Sequence, residues 1–241
     1  MQSISLTNLA IAFIPVLVVI VIIWRWDMGY KASIYAILRM IVQLLLIGYV
    51  LTYIFGTNSY SIVITILIIM LLAASWISLR TTSLPKKTLI LNVIFSIVIG
   101  GVSVLIIMTQ GVLLIDPWYS PNIMIPLGGM IFANCMNGIS LAAERLESEL
   151  KQGKTYKEAK VVALRTSLIP ITNMLLAVGI VSLPGMMTGQ ILSGVSPMIA
   201  VRYQVMVMCM LFGSTGISVA VFLQSVRVQF QTPISIINKE K

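Results

Sequence analysis

The hydrophobic pattern of this chain consists of seven long apolar runs, each interrupted only by small or isolated polar residues. A helix needs roughly 20 mostly apolar residues to cross the ~30 Å hydrocarbon core of a bilayer. The runs reach about that length, and they lack the alternation of apolar and polar residues that is typical of a membrane-spanning strand. The pattern therefore predicts seven membrane-spanning helices, over residues 6–24, 33–55, 61–79, 88–109, 122–143, 166–184 and 200–224.

The composition favours an integral membrane protein over a globular one. Of the 241 residues, 59% are hydrophobic and only 10% are charged, whereas a globular domain needs about a quarter of its residues charged to cover its surface. We therefore predict an all-α, polytopic helical membrane protein that forms one transmembrane domain over residues 1–241. The first run does not have the form of a signal peptide, because Trp24, Arg25 and Trp26 follow it in place of a cleavage site of small residues.

Basic residues are confined almost entirely to one set of connections. Fourteen of the 16 Lys and Arg residues lie in the connections after runs one, three and five and in the C-terminal tail, while the connections 56–60, 110–121 and 185–199 have none. Because cytoplasmic loops retain Lys and Arg, we predict an N-terminus outside the cell, a C-terminus in the cytoplasm, and a location in the inner or plasma membrane. The net charge of +9 is therefore a topological signal that favours a lipid bilayer with anionic lipids, and it does not indicate binding of nucleic acid.

The most polar stretch is ERLESELKQGKTYKEAKVVALR, residues 144–165. Glu147 and Lys151 have the i, i+4 order that stabilises a helix, and Gly153 is a typical helix stop. Thr155 and Glu158 have the form of a capping box, which begins a new helix. We predict a rigid pair of helices that projects into the cytoplasm between spans five and six; the alternative is a connection that only reverses the chain.

Several kinds of chemistry are missing from the sequence. There is no phosphate-binding G-x-x-x-x-G-K-[ST] motif, no histidine, and no carboxylate inside the seven runs, where ion-coupled transporters generally keep Asp or Glu. We therefore predict that the chain is not an enzyme, has no cofactor of its own, and takes the energy for any transport from another protein. Cys135 and Cys209 fall inside predicted spans, which indicates packing roles.

The stretch SLPGMMTGQILSG, residues 182–194, interrupts the apolar pattern at the end of span six. Pro184 removes a main-chain donor and Gly185 relaxes the chain, so span six should end or kink there. A helix that begins near Arg165 would reach the outer membrane face at about this point. We predict a broken or re-entrant element over 184–194 at the mouth of a path, with close main-chain approach at its glycines; the alternative is an ordinary loop.

Other polar groups in the spans are candidates for the same path. Asn134 and Asn137 lie on one face of span five, where they either line a path or join helices through hydrogen bonds. Arg202 is the basic residue assigned to the outer side, where it would bind an anionic group or anchor span seven. The candidate path residues are Asn134, Asn137, Pro184, Gly185, Met186, Met187, Thr188, Gln190 and Arg202. For the two methionines, packing is the alternative to contact with a soft metal, and no set of metal ligands is assigned.

Three motifs resemble the FetB-like family of ABC transporter permeases, a bacterial group linked to iron export with plant relatives linked to aluminium tolerance. They are SLPGMMTGQILSG (182–194), ANCMNGISLAAERLESEL (133–150) and RYQ (202–204). The resemblance implies a permease homodimer that binds two copies of a separate ABC ATP-binding subunit, in which ATP and Mg are held. It also implies that the 144–165 projection is the coupling element, with Glu147, Lys151, Thr155, Tyr156, Lys157, Glu158 and Ala159 as candidate contacts.

The expected function is that of the membrane-spanning subunit of an ATP-driven exporter of iron, or of another metal or metal complex. One alternative is an ABC permease for an organic substrate such as a nucleotide sugar. Two others are a self-sufficient secondary carrier or channel and a sensor or scaffold that recruits a protein through its cytoplasmic helices.

Overall fold

The computed structural model describes residues 5–56 and 59–230, and over these ranges the chain is helical with no β-strand. Seven helical segments in the described chain are long and apolar enough to cross a membrane. The predicted all-α fold class and the multi-pass membrane character are therefore confirmed. The chain divides into two compact units, Met1–Thr57 and Asn58–Lys241. Two residues of the predicted basic tail, Lys239 and Lys241, lie outside the described residues.

The first unit is a pair of apolar spans. Its first span consists of two helices in series, α1 (Leu6–Ile11) and α2 (Ile14–Arg25). Pro15 lies in the first turn of α2, where its missing N–H is tolerated. The span predicted as one helix over 6–24 is thus interrupted between α1 and α2. α3 (Tyr30–Phe55) returns after a turn in which Gly29 has a φ of 77°.

The second unit is organised around two long helices, α7 and α10. Their facing sides are formed largely of buried apolar and small residues, so the two helices form the centre of the core. The helices of this unit are α4 (Tyr60–Ser78), α5 (Lys86–Ile97), α6 (Ser103–Ile106), α7 (Pro121–Lys151), α8 (Tyr156–Ala177), α9 (Gly185–Leu192) and α10 (Pro197–Ser225). The largest fully buried side chains include Ile131, Ile139, Leu146, Met210, Phe222 and Leu223.

The span predicted over 88–109 extends from Lys86 to Val112 in the structure and contains two π-helical segments, Val98–Val102 and Ile107–Val112, on either side of α6. The wider turn is visible in the hydrogen bond from the Leu113 N–H to the Met108 carbonyl, 2.9 Å away. At the first π segment the main chain lies directly against α10. A Cβ atom added at Gly100 would lie 2.3 Å from the Ser218 hydroxyl oxygen and 2.4 Å from its main-chain nitrogen, so glycine is required there.

α7 is longer than a membrane is thick. Its 31 residues extend about 46 Å, against ~30 Å of hydrocarbon. The charged residues of α7 all follow Ala143, so we infer that the helix leaves the membrane near this residue. The projection over 144–165 is therefore made of continuous extensions of α7 and α8 joined by a short turn; we call it the charged hairpin.

The prediction that span six continues to residue 184 was wrong, because α8 ends at Ala177. The Ala177 carbonyl accepts N–H groups from Ile180, Val181 and Ser182 at 2.8–3.2 Å, and Gly179, with a φ of 84°, closes this turn. Since α7 and α8 run antiparallel from the hairpin turn, Ala177 lies roughly level with Met130, about 14 Å short of the start of α7. Pro184 does not end span six; it is the N-cap residue of α9.

Candidate functional site

The turn of the charged hairpin is held by a capping box. The Thr155 N–H donates to a Glu158 carboxylate oxygen at 3.0 Å, and the Glu158 N–H donates to the Thr155 hydroxyl at 3.4 Å. The predicted capping box is therefore confirmed. Hydrogen bonds from Thr155 lower the pKa of Glu158 below its ordinary value of 4.5, since they stabilise the charged carboxylate. Gly153, with a φ of 86°, ends α7 just before this cap.

Glu149 provides a second connection inside the hairpin that the sequence did not indicate. Its side chain has no exposed surface, lies 2.5 Å from Arg145 Nη2, and forms an ion pair with Lys154. The hydrogen bond from Lys154, opposed by burial and assisted by the charge of Arg145, lowers the pKa of Glu149. Because Arg145 precedes the turn and Lys154 lies in it, Glu149 ties the turn to α7.

Glu147 joins the hairpin to the connection between α4 and α5. Its carboxylate accepts the Ser83 N–H at 2.9 Å, the Thr82 hydroxyl at 3.0 Å and the Lys151 ammonium at 2.5 Å, and the Ser83 hydroxyl also donates to it. Burial opposes ionisation, but these donors outweigh it and lower the pKa of Glu147 to about 2. The predicted Glu147–Lys151 pair is confirmed, and it is one part of a network that fixes this loop on α7.

Four of the seven candidate coupling residues are exposed and three are buried. Tyr156 and Ala159 are 8% and 0% exposed. The Tyr156 hydroxyl donates to the Leu223 carbonyl at 2.5 Å, and Lys160 Nζ donates to Gln224 Oε1 at 3.1 Å. Like Glu147, these buried residues hold the hairpin to neighbouring helices. Of the candidate coupling residues, those that a partner can reach are Lys151, Thr155, Lys157 and Glu158.

A cavity of about 520 Å³ lies between α7, α9 and α10. Each helix contributes one methionine to it: Met130 from α7, Met186 from α9 and Met206 from α10. We call this hollow the methionine cavity. The rest of its lining is Asn122, Gln190, Tyr203, Leu113, Ile123, Pro126 and Leu127.

A second hollow, the Gln204 groove, lies on the other side of α9. It has a volume of about 370 Å³, and Met187, Met208 and Cys209 are among its lining residues. Gln204 is 6% exposed, and its side-chain oxygen has no hydrogen-bond partner among the described residues. The neighbouring residues Met186 and Met187 therefore face two different hollows.

One face of α7 connects the methionine cavity to the charged hairpin. Its members are spaced four or seven residues apart, so they share one side of the helix, and each is exposed or half-buried in this chain. The face is formed by Asn122, Pro126, Met130, Asn137, Glu144 and Ser148. At the hairpin end, Glu144 and Ser148 line another cavity of about 290 Å³ with Thr81, Glu147 and Lys151. We call this surface the α7 face; it places polar groups and one thioether along a membrane-spanning helix, with the apolar residues Ala133 and Leu141 between them.

Comparison with known proteins matches residues 6–230 to the Uncharacterised protein family UPF0014. The chain belongs to this family. It is 30% identical to the Escherichia coli protein named a probable iron export permease protein, FetB, over 90% of each chain. It is 34% identical to the Bacillus subtilis UPF0014 membrane protein YjkA, over 88% of this chain and 89% of that one.

Plant members of UPF0014 are also similar to this chain. Arabidopsis thaliana protein ALUMINUM SENSITIVE 3 is 29% identical over 87% of this chain and 81% of its own length. The resemblance to the FetB-like family and its plant relatives, inferred from three motifs, is therefore confirmed. No solved structure matches this chain.

The remaining candidate path residues of this UPF0014 chain have separate positions. Asn134 donates to the Met130 carbonyl of its own helix at 2.9 Å, whereas Asn137 is exposed on the α7 face. Thr188 donates to the Pro184 carbonyl at 3.2 Å in the first turn of α9. Arg202 is exposed near the start of α10.

The expected close main-chain approach at the glycines of α9 is not found among the residues that the structure describes. A Cβ atom added at Gly185 or Gly189 would have no atom within 4 Å, and Gly194 is needed only for the φ of 91° in the turn after the helix. The broken element over 184–194 is a short helix held between two turns. Its side chains line two hollows, Met186 and Gln190 the methionine cavity and Met187 the Gln204 groove.

Sequence reasoning missed Met130 and Met206 as lining residues of the methionine cavity. A signal existed for Met130, since Asn122, Pro126 and Met130 are spaced i, i+4 and i+8 and share a helix face. No local signal marks Met206, because its position depends on how α10 packs against α7. The described residues contain no group of three or more His, Cys, Asp or Glu side chains that could hold a metal ion.

Proposed function

We propose that this chain is the membrane-spanning permease subunit of an ATP-driven ABC exporter, energised by a separate ATP-binding subunit. The observation that supports the proposal most is the α7 face. It runs from the methionine cavity to the charged hairpin, so one rigid helix joins a candidate cargo site to a candidate motor-binding surface. The similarity to a protein named a probable iron export permease favours iron, or another metal or metal complex, as cargo.

The charged hairpin has the properties that a mechanical contact needs. Glu147, Glu149 and Tyr156 hold it to α4–α5, to α7 and to α10 through hydrogen bonds and ion pairs. A displacement of its tip would therefore move the helices that line the methionine cavity. Lys151 and Lys154 form ion pairs with Glu147 and Glu149, whereas Lys157 is exposed at the tip, where it fits an acidic group on an ATP-binding partner.

The proposed assembly is a homodimer in the inner or plasma membrane, and exposed polar groups support it. Asn137 lies on the surface of α7 within the membrane, and Thr172 and Asn173 are exposed on α8. Amide groups that face hydrocarbon would lose their hydrogen bonds with water, so protein or a water-filled path must cover them. In the proposed homodimer, a second copy of the chain covers them.

One observation favours an organic cargo as a second candidate. The methionine cavity has a volume of about 520 Å³, and cavities of roughly 300–1,000 Å³ with mostly apolar walls are typical of sites for organic ligands. An ABC permease for an organic substrate would use the same hairpin and the same ATPase, so the coupling proposal does not depend on the cargo.

Co-purification with the ATP-binding subunit tests the proposal. We expect Lys157→Glu to reduce complex formation and permease-stimulated ATP hydrolysis at least tenfold, because the side chain is exposed and has no hydrogen bond or ion pair with the residues that the structure describes. Lys31→Glu, a charge reversal in another connection on the predicted cytoplasmic side, is the matched control and should bind normally. Unchanged binding and hydrolysis in Lys157→Glu, or an equal loss in both variants, would remove the hairpin from the coupling role.

A further inference from the structure

The methionine cavity collects thioether groups from three helices, one of which, α7, is far from the other two in the sequence. Met130, Met186 and Met206 belong to α7, α9 and α10. Met186 shares its face of α9 with Gln190, at i+4, and Met206 shares its face of α10 with Tyr203, at i−3. Three helix faces are therefore directed into one cavity. A methionine that only fills a gap in packing would involve a single side chain.

The cavity also has an unsatisfied polar group. The side-chain oxygen of Gln190 is buried and has no hydrogen-bond partner among the described residues. A buried acceptor without a partner is costly, so a bound species that meets this oxygen would stabilise the site. Asn122 and Tyr203 add neutral oxygen atoms to the lining.

The donor set selects against most metal ions. The residues that line the methionine cavity include no carboxylate, no histidine and no other charged side chain. Hard divalent ions such as Mg²⁺ and Ca²⁺ need several charged or water oxygens, and Zn²⁺ favours thiolate, imidazole and carboxylate. Thioethers are soft, neutral ligands that suit Cu(I), and a monovalent ion is less costly to bury than a divalent one.

We propose that Met130, Met186 and Met206 form a binding site for a soft monovalent cation, Cu(I) or its analogue Ag(I), with the Gln190 oxygen as a neighbouring polar contact. The site is inferred from the cavity, and its occupancy can be measured without the ATPase. Only the further step, that the bound ion is cargo, rests on the proposed function.

The test uses the full chain in lipid nanodiscs with Cys209→Ala as the starting protein, because Cys209 is an exposed thiol that would bind the same ions. Binding of Ag(I), and of Cu(I) under a reductant, is measured by equilibrium dialysis with elemental analysis. We expect one tightly bound ion per chain, with sulfur neighbours by X-ray absorption. Fe(II) and Zn(II) at the same free concentration should bind at least tenfold more weakly.

Leucine substitutions separate the site from general methionine binding, because Met and Leu have similar volumes. The triple variant Met130→Leu, Met186→Leu, Met206→Leu should lose at least tenfold in Ag(I) affinity. The control triple Met187→Leu, Met208→Leu, Met174→Leu removes the same number of thioethers outside the cavity and should retain the ion. Equal affinity in the two triples, or absence of a stoichiometric ion in the starting protein, would overturn the inference.

The same measurements distinguish failure of the site from failure of the proposed function. If the chain binds one soft ion but does not bind the ATPase, the ion site is supported and the proposed transporter function is contradicted. If the chain stimulates the ATPase but binds no soft ion, the proposed transporter function is supported and the ion site is contradicted.

Discussion

The Tyr156 hydroxyl donates a hydrogen bond to the main-chain carbonyl of Leu223 across 2.5 Å. Tyr156 is the first residue of α8 in the charged hairpin, and Leu223 lies in the last turn of α10. The last carbonyls of a helix have no partner within it, so this bond both caps α10 and joins it to the hairpin. α10 carries Tyr203 and Met206 at its other end, in the lining of the methionine cavity.

Removal of this hydroxyl tests the connection between hairpin and cavity. Burial, offset in part by the charge of Arg227, raises the pKa of Tyr156 to about 12, so the hydroxyl remains a donor at physiological pH. Tyr156→Phe keeps the ring and should cost about 1 kcal/mol of stability. We also expect ATP hydrolysis by the assembled transporter to continue with less cargo moved per ATP. Tyr119→Phe, which alters a tyrosine outside the hairpin, is the control; unchanged transport per ATP in Tyr156→Phe would show that this bond does not transmit motion.

The close approach of the first π segment to α10 predicts strict size limits at Gly100. A methyl group there would overlap Ser218, and main-chain atoms cannot move aside as a flexible side chain can. We expect Gly100→Ala to lower the free energy of unfolding by about 1–3 kcal/mol. Thermal unfolding in detergent measures this, with Gly111→Ala as the matched control, since a Cβ at Gly111 meets nothing within 4 Å. Equal melting temperatures for the two variants would contradict the packing described.

How much of this fold can be predicted depends on whether the determining residues are neighbours in the chain. The capping box of Thr155 and Glu158 is a local motif, and the long apolar runs of α3, α4 and α10 are continuous, so these elements were predicted close to their observed bounds. The end of α8 was not predicted correctly. Residues 178–183 are mostly apolar and continue the hydropathy of the span, so only Gly179 marks the turn.

The candidate site was less predictable for the same reason. Met186, Gln190 and Asn137 were selected as single positions, but the placement of the first two in the methionine cavity, beside the α7 face that carries Asn137, depends on packing between α7, α9 and α10. The partners of Glu147 are a stronger example. Ser83 and Glu147 are 64 residues apart, and nothing in either local sequence indicates that they meet.

The network around Glu147 predicts a pH dependence of stability. The folded pKa of about 2 is lower than the ordinary value of 4.5, so the folded state favours the ionised carboxylate. This contribution is fully present above the unfolded pKa and is lost as the pH falls from about 4.5 towards 2. The melting temperature of the wild type should therefore fall over this range, and Glu147→Gln should flatten that fall while lowering stability at pH 7.

Glu144→Gln is the control for this measurement, because Glu144 is an exposed carboxylate one helical turn away. Its melting curve should follow that of the wild type from pH 7 to pH 3. A Glu147→Gln variant with the full acid sensitivity of the wild type would show that other groups account for it.

The orientation inferred from Lys and Arg predicts that the hairpin tip lies in the cytoplasm. In a Cys209→Ala protein, Lys154→Cys should not react with a membrane-impermeant maleimide in intact cells and should react after the cells are opened. Ser193→Cys, which follows α9 and is exposed, should show the opposite preference. Labelling of Lys154→Cys from outside would reverse the topology and leave no surface for a cytoplasmic ATPase.

Accessibility of Asn137 tests the central claim most directly, namely that the α7 face is the transport path. In a Cys209→Ala protein assembled with its ATPase, we predict that a water-borne maleimide reaches Asn137→Cys and that trapping with ATP changes the labelling rate at least fivefold. Ile139→Cys, buried on the other side of α7, should remain unlabelled. If Asn137→Cys is unlabelled in every nucleotide state, or is labelled at one constant rate, the α7 face is not a path that ATP opens and closes.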